Sequence, residues 1–448
     1  MRFVMKSVDV LIVGMGPTGM VLANELQKWG INYFIIDKRE AVSSMTRAVN
    51  ITPASLALLQ YSLKLNLADE IIQTEKIHLF WENKWVSDVN YEKMNFPYKS
   101  FSYYKQPHLE KALKDKLDKS RIKEKTELKT IEKNPAGGYK VLLDNEEICS
   151  QYIIGCDGNN SLVRNWITQE NDFEDYGAHF LLFDIETNVN FTEEGLYYIY
   201  SDGYIIIAPI DKEKNQYRIV LSSAELSKTA TEQYNDINFI ENYFSKKSNT
   251  VISVEKIIWF TSGTFRHRIS SVAQHENIFL CGDAYHIFSP VGGLNLNTGL
   301  QDAINLAWKL AYVIQGKASP SFLKTYAVER GKSVERTRNA TKEMTHYMTN
   351  FTTKGELKNH HTNTKNIFEY ILPKILSGYD NQYQHVSELF LKEEYDSFCN
   401  SINNLGFNLV LNNNQWLLIS PDGYIVDAIE KEKLNEVENS INKKLFGE

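Results

Sequence analysis

Residues 8–37 read VDVLIVGMGPTGMVLANELQKWGINYFIID, and the fold of the chain turns on them. Val8 to Val13 is an apolar, largely β-branched run interrupted only by Asp9, the pattern of a strand buried on both faces. Pro17 to Trp29 has proline in its first turn and Gly30 just past its end, which predicts a helix. Tyr33 to Ile36 is a second short apolar strand, closed by Asp37. Between strand and helix lies Gly14-Met15-Gly16-Pro17-Thr18-Gly19. In that spacing the first glycine permits a tight turn, the second admits a pyrophosphate against bare backbone, and the third lets helix and strand approach. The helix N-terminus then offers N–H groups to phosphate. Asp37, 23 residues after Gly14, is an acid able to accept ribose hydroxyls. The βαβ unit therefore predicts a Rossmann-like, dinucleotide-binding α/β domain.

Working outward, 448 residues exceed one ordinary core, so two or three domains are expected. The net charge of -7 gives no general attraction to phosphate backbones, and nucleic acid is not an expected partner. The four cysteines, Cys149, Cys156, Cys281 and Cys399, lack metal-ligand or redox-pair spacing; no metal site is expected, and a reducing cytoplasm suits them. Asp9 and the glycine turn make the N-terminus a first strand and not a signal peptide. No stretch reaches the ~18 apolar residues of a membrane span.

Further along, Tyr139 to Leu143 and Tyr152 to Cys156 read as paired strands leading into Asp157-Gly158. Between Phe173 and Phe260, short strands rich in aromatics predict an antiparallel sheet that covers a substrate. Ile278 to Cys281 returns to a buried-strand pattern, and Gly299 to Ile314 predicts a long helix ended by Gly316. After Arg330 the chain turns helical and polar. Near its end, Ser420-Pro421-Asp422-Gly423 is a turn signal between Trp416–Ile419 and Tyr424–Val426.

Two further segments carry a family resemblance. Cys156-Asp157-Gly158-Asn159-Asn160-Ser161-Leu162-Val163-Arg164 resembles the Asp-Gly motif of class A flavoprotein aromatic hydroxylases, the family of para-hydroxybenzoate and phenol hydroxylases. Ile278 to His286, followed by Pro290, Gly292, Gly293 and Asn297, resembles its Gly-Asp motif, and the likeness continues through Asp302, Asn305 to Lys309 and Glu329-Arg330. The polyketide-hydroxylase branch fits the tail, where Trp416 to Tyr424 faintly resembles a thioredoxin-like region with no dithiol pair. The resemblance implies a discontinuous FAD-binding domain of the glutathione-reductase type (1–75, 105–170 and 265–335). A mixed or antiparallel β-sheet substrate domain (76–104 and 171–264) is inserted in it, and a C-terminal helical region follows (336–448).

The same resemblance implies FAD contacts at Gly14, Gly16, Pro17, Thr18, Gly19, Asp37, Gln106, Asp157, Gly282, Asp283, Pro290, Gly292, Gly293, Leu294 and Asn295. Arg47 resembles the family arginine near the flavin, and catalytic roles are assigned to Arg47 and Pro290. Lys38 and Arg39 are read as adenosine-phosphate contacts, with solvated side chains as the alternative; Arg164 orients the Asp-Gly loop or the nicotinamide; His286 is read as a structural histidine as readily as a site residue. Relatives usually carry Gly-x-Gly-x-Asn where this chain reads Gly293-Leu294-Asn295-Leu296-Asn297. Asn295 is expected to take over the second glycine's conformation, because Asn tolerates positive φ better than other side chains.

The activity so implied is an NADPH- or NADH-dependent monooxygenase in which O2 becomes a flavin C4a-hydroperoxide and hydroxylates a small phenolic or polycyclic polyketide-like aromatic substrate. Monomer or homodimer is expected. An antibiotic-inactivating monooxygenase of the tetracycline type and a flavin-binding protein without oxygenase activity are the competing readings.

Overall fold

A computed structural model describes residues 6–349, apart from 41, 43–47, 66, 68–69, 92–99, 145, 190, 192–193, 224–225, 227–230 and 249–250. Beyond these it describes 400–402, 407–412, 415–422, 425–430 and 445. The fold is mixed α/β, with a Rossmann-like sheet at its centre.

The Lys6–Val13 strand lies mid-sheet, pairing in parallel with Glu147–Gly155 on one side and Tyr33–Ile36 on the other. Val10, Leu11 and Ile12 are fully buried, as an apolar run covered on both faces requires. Ile278–Leu280 continues the sheet beside Glu147–Gly155, again in parallel. Helix α1 (Pro17–Lys28) buries Met20, Val21, Leu22, Ala23 and Leu26 in this core. It can lie so close because a Cβ on Gly19 would collide with the Gly14 carbonyl oxygen.

A second, eight-stranded sheet runs in the order His286–Ile287, Val254–Ser270, Asn171–Thr187, Gln216–Ser223, Gly203–Asp211, Gly195–Tyr200, Lys76–Trp81, Lys84–Asn90. It is antiparallel as expected, except that Gly195–Tyr200 and Lys76–Trp81 pair in parallel. Those two strands are far apart in sequence, so no hairpin imposes an antiparallel partner. Phe101–Tyr104 leaves this sheet and pairs instead with Asn50–Ile51 and Ile71–Thr74. That small sheet carries Tyr103 to the boundary between the two large ones.

Helix α6 (Leu294–Ile314) starts five residues before the predicted Gly299. Gly299 is interior to the helix because its missing side chain is needed there: a Cβ would stand 2.6 Å from Thr18 Oγ1. Helix α7 (Lys324–Thr349) runs unbroken across the proposed boundary at 335/336. The C-terminal hairpin of Gln415–Ile419 and Ile425–Glu430 is antiparallel, within a four-stranded sheet. Asn305 Nδ2 donates to both Glu329 Oε2 and Asp422 Oδ2 at 3.0 Å, and Lys309 Nζ pairs with Glu329 at 2.6 Å, joining this sheet to α6 and α7. Cys399 lies outside the described residues, as do Gly423 and Tyr424 at the end of the segment expected to be thioredoxin-like. No helix among the described residues is long and apolar enough to cross a membrane.

Candidate active site

One cavity of about 670 Å³ lies where the loops of the Rossmann-like sheet meet the inner face of the second sheet. Its size falls within the ~300–1,000 Å³ of small-molecule sites. The three motif loops converge on it: Gly14, Gly16, Pro17 and Thr18, then Asp157, then Asp283, Pro290, Gly292, Gly293 and Asn295 all line it, with Asp37, Lys38, Arg39 and Gln106. Gly19, Gly282 and Leu294 do not line it; they pack behind it. A Cβ on Gly282 would stand 2.8 Å from Thr18 Oγ1, so this residue is where the Gly-Asp loop lies on the first helix. Arg47 lies outside the described residues.

Each loop is held by its own polar chemistry. Asp37 accepts the Met15 and Arg39 N–H groups, both at 2.8 Å, so it fixes the glycine turn while an ionised carboxylate keeps further lone pairs for a ligand. Asp157 accepts from Ser161 Oγ and from the Leu162 N–H at 2.7 Å, capping α4 (Leu162–Ile167). Burial raises its carboxyl, and these donors oppose the rise. Arg164 donates to the Ala284 and Asn159 carbonyls at 3.1 and 2.9 Å and so ties the Asp-Gly loop to the Gly-Asp loop. Gln106 Oε1 accepts the Ala48 N–H at 2.9 Å while its Nε2 donates to Glu110 at 2.6 Å.

Asn295 corrects the expectation made for it. Positive φ values fall at Gly292 (84°) and Gly293 (65°), and Asn295 is helical, in the first turn of α6. Its Oδ1 accepts the Phe288 N–H at 2.6 Å and its Nδ2 donates to the Phe288 carbonyl at 3.0 Å, closing the loop upon itself. The amide thus supplies hydrogen bonds that glycine lacks, without needing glycine's backbone freedom. His286 is fully buried against Asp302 at 2.6 Å and does not line the cavity.

Asn297 joins the same loop to the chain before α2 (Pro53–Leu63). Its Oδ1 accepts the Thr52 N–H at 2.9 Å and its Nδ2 donates to the Gly293 carbonyl at 2.9 Å. Asn297→Ala leaves the Thr52 N–H without this acceptor and takes a donor from the Asn50 and Gly293 carbonyls. It is expected to cost about 2 kcal/mol in urea unfolding, and an unchanged midpoint would show the loop to be held otherwise.

The far wall is the sheet expected from sequence to cover a substrate, although its lining residues were not assigned individually. It is one face of the second sheet, where alternate residues point inward: Tyr204, Ile206 and Ala208 from one strand, Arg218 and Val220 from the next, with Leu182 and Tyr197 beside them. Gly203–Asp211 is nearly continuous in apolar residues, so hydropathy alone did not say which alternate positions face the cavity. Glu110 and Asn160 also line the cavity without having been singled out.

The residues fit a flavin dinucleotide. Gly16 faces the cavity with no atom within 4 Å of a Cβ built there, a bare-backbone cradle at the N-terminus of a twelve-residue helix. The model of the FAD binding domain family matches residues 7–341, and the chain belongs to that family. It is 27% identical to pentachlorophenol 4-monooxygenase of Sphingobium chlorophenolicum over 348 residues, 72% of this chain and 61% of that protein. It is also 27% identical to dialkyldecalin synthase of Streptomyces rugosporus over 78% of this chain and 75% of that one. The solved structure of the Diels-Alderase PyrE3 of pyrroindomycin biosynthesis covers 98% of the chain with a TM-score of 0.78 at 22% identity, a likeness of fold.

Proposed function

We propose that the protein is an FAD-dependent monooxygenase that uses NADPH or NADH and O2 to hydroxylate a phenolic or polycyclic polyketide-like aromatic substrate. The observation that carries this reading is the single cavity shared by the three motif loops and an aromatic sheet face. Bound FAD supplies acceptance of a hydride from a nicotinamide and activation of O2 for transfer of one oxygen atom. The chain's part is binding, orientation and exclusion of water. The Gly14–Gly19 turn and the α1 N-terminus hold the pyrophosphate, and Asp37 takes the adenosine ribose. Asp283 accepts hydroxyls further along the cofactor. Pro290 to Gly293 present backbone to the ring, with the N-terminus of α6 favouring negative charge on it. The sheet face of Leu182, Ile206, Ala208 and Val220 keeps the reacting end dry.

Similarity to a phenol monooxygenase over 72% of the chain supports the oxygenase reading. The test is to purify the protein, record its visible spectrum, and screen phenols and polycyclic aromatics for those that accelerate NAD(P)H oxidation with a product one oxygen heavier. A protein that cannot be loaded with FAD would remove the proposal. Similarity to dialkyldecalin synthase over 75% of that protein favours a second reading, a flavin-binding protein without oxygenase activity. Turnover of a ligand in the absence of NAD(P)H and O2 would select it.

A further inference from the structure

Four tyrosines gather at the sheet end of the cavity. Tyr103, Tyr197 and Tyr204 line it, and Tyr91 lies behind them, fully buried. They come from four separate segments, so the cluster is made by tertiary packing alone. The Tyr197 phenol sits close enough to those of Tyr91, Tyr103 and Tyr204 that its ionisation would raise each of them. Burial pushes Tyr197 up to about 12 and Tyr103 and Tyr204 well above the ordinary value, so every hydroxyl keeps its proton. Among the described residues, the Tyr91 hydroxyl is buried with no hydrogen-bond partner. Buried hydroxyls ordinarily find partners, because leaving one unmade costs about 1–3 kcal/mol. Among the described residues, no group is hydrogen-bonded to the Tyr103, Tyr197 or Tyr204 hydroxyl, which leaves them to the cavity's contents.

Among the described residues, the same end offers no net charge. The one ionic side chain that its described strands contribute, Arg218, is held bidentately by Asp184, Nε to Oδ1 at 2.5 Å and Nη2 to Oδ2 at 2.9 Å, with its guanidinium 4.8 Å from the Trp259 ring. Of the other charged lining residues, Glu110 lies on the helix Gln106–Asp115, and Asp37, Arg39, Asp157 and Asp283 lie on the loops of the first sheet. A carboxylate entering the sheet end would lose its water and meet a cation already neutralised, which is unfavourable. A carbonyl or phenol oxygen would meet protonated phenols that donate to it.

We propose that Tyr103, Tyr197 and Tyr204 determine specificity. They select an uncharged polycyclic ligand bearing two or more keto or hydroxyl oxygens on one edge, and they reject carboxylated phenols. This rests on the sheet end being the substrate site of the proposed oxygenase, and binding is its readout so that the two stand or fall separately.

The test uses the FAD-loaded full chain and three probes: 1,8-dihydroxyanthraquinone, its 3-carboxylate, and anthracene as the oxygen-free ring. Binding is followed by quenching of tryptophan and by perturbation of the flavin spectrum. The neutral quinone should bind at least tenfold more tightly than its carboxylate. Tyr197→Phe and Tyr204→Phe should each weaken the quinone about tenfold, and Tyr103→Phe likewise, while anthracene binds all variants as it binds the parent. Each variant should retain flavin and its thermal midpoint, since only one oxygen is removed. Equal quinone affinity across the variants, preference for the carboxylate, or no quinone binding by the parent would overturn the proposal. So would variants that lose flavin or stability, because the hydroxyls would then serve the fold. Hydroxyl-dependent binding without NAD(P)H oxidation would remove the oxygenase reading and leave this one intact. Oxidation of the quinone equally fast in parent and variants would do the reverse.

Discussion

Gly14→Ala should yield protein that holds no flavin and unfolds early, whereas Gly16→Ala should fold as the parent does and merely bind flavin poorly. The two glycines lie two residues apart and differ in what surrounds them. Gly14 has φ 108°, and a Cβ there would collide with the Cys156 carbonyl and stand 2.8 Å from Asp157 Cα. Both contacts are backbone, which cannot swing aside. Left-handed strain of about 1–2 kcal/mol adds to overpacking of a similar size or more, so a loss of at least about 3 kcal/mol is expected. The Asp157 loop would also be pushed out of register with the glycine turn. Gly16 has φ -70°, open to any residue, and nothing within 4 Å of its Cβ position. Its methyl would stand in the cavity where the pyrophosphate is proposed to lie. Stability of the flavin-free protein should change by less than about 0.5 kcal/mol, while FAD affinity falls about 10- to 100-fold. Differential scanning fluorimetry of the stripped protein and flavin titration separate the two effects. Wild-type flavin affinity in Gly16→Ala would remove the proposed pyrophosphate position.

Asp302→Ala is the second large effect, at about 3–5 kcal/mol, because it leaves a buried cation without its counter-charge. Asp302 is fully buried in α6 and accepts from His286 Nε2 at 2.6 Å, Arg330 Nε at 2.7 Å and the Gly282 N–H at 3.0 Å. It thereby fixes the residue before Asp283, so loss of flavin should accompany loss of stability. Burial by itself would raise the Asp302 carboxyl, yet His286 and Arg330 outweigh it and hold the group below its usual range. A carboxyl lowered on folding contributes stability that is complete above its unfolded value near ~3.9 and is lost as pH falls through the folded value. The difference in urea stability between the parent and Asp302→Asn should therefore be widest near about pH 7 and shrink as pH falls below about 4. A gap that stays constant with pH would show that Asp302 does not carry the charge assigned to it.

How much was legible in the chain follows from the distance over which each feature is made. The strand, turn, helix and acid of residues 8–37 are contiguous, and each is specified by near neighbours: apolar runs, a proline at the helix start, glycines at the turn. Asn295 was misjudged because its conformation depends on Phe288, seven residues away across a loop, and hydropathy periodicity does not record a backbone clamp. The start of α6 was placed late for a related reason. Glycine is a weak helix former, and only the contact of Gly299 with Thr18 explains its place inside a helix.

By itself, then, the sequence determined a Rossmann-like unit, the identity of three loops and the family to which they belong. Local backbone preference and the period of burial act within a dozen residues, and they sufficed for that. Only the tertiary structure decided which side chains face one another across the cavity. Tyr103 sits on a small sheet, Tyr197 and Tyr204 on neighbouring strands, and Arg218 reaches Asp184 from the strand beside it. Register between strands distant in sequence brings these groups together. No residue's own neighbours encode that register; it is set by the burial of two sheet faces at once.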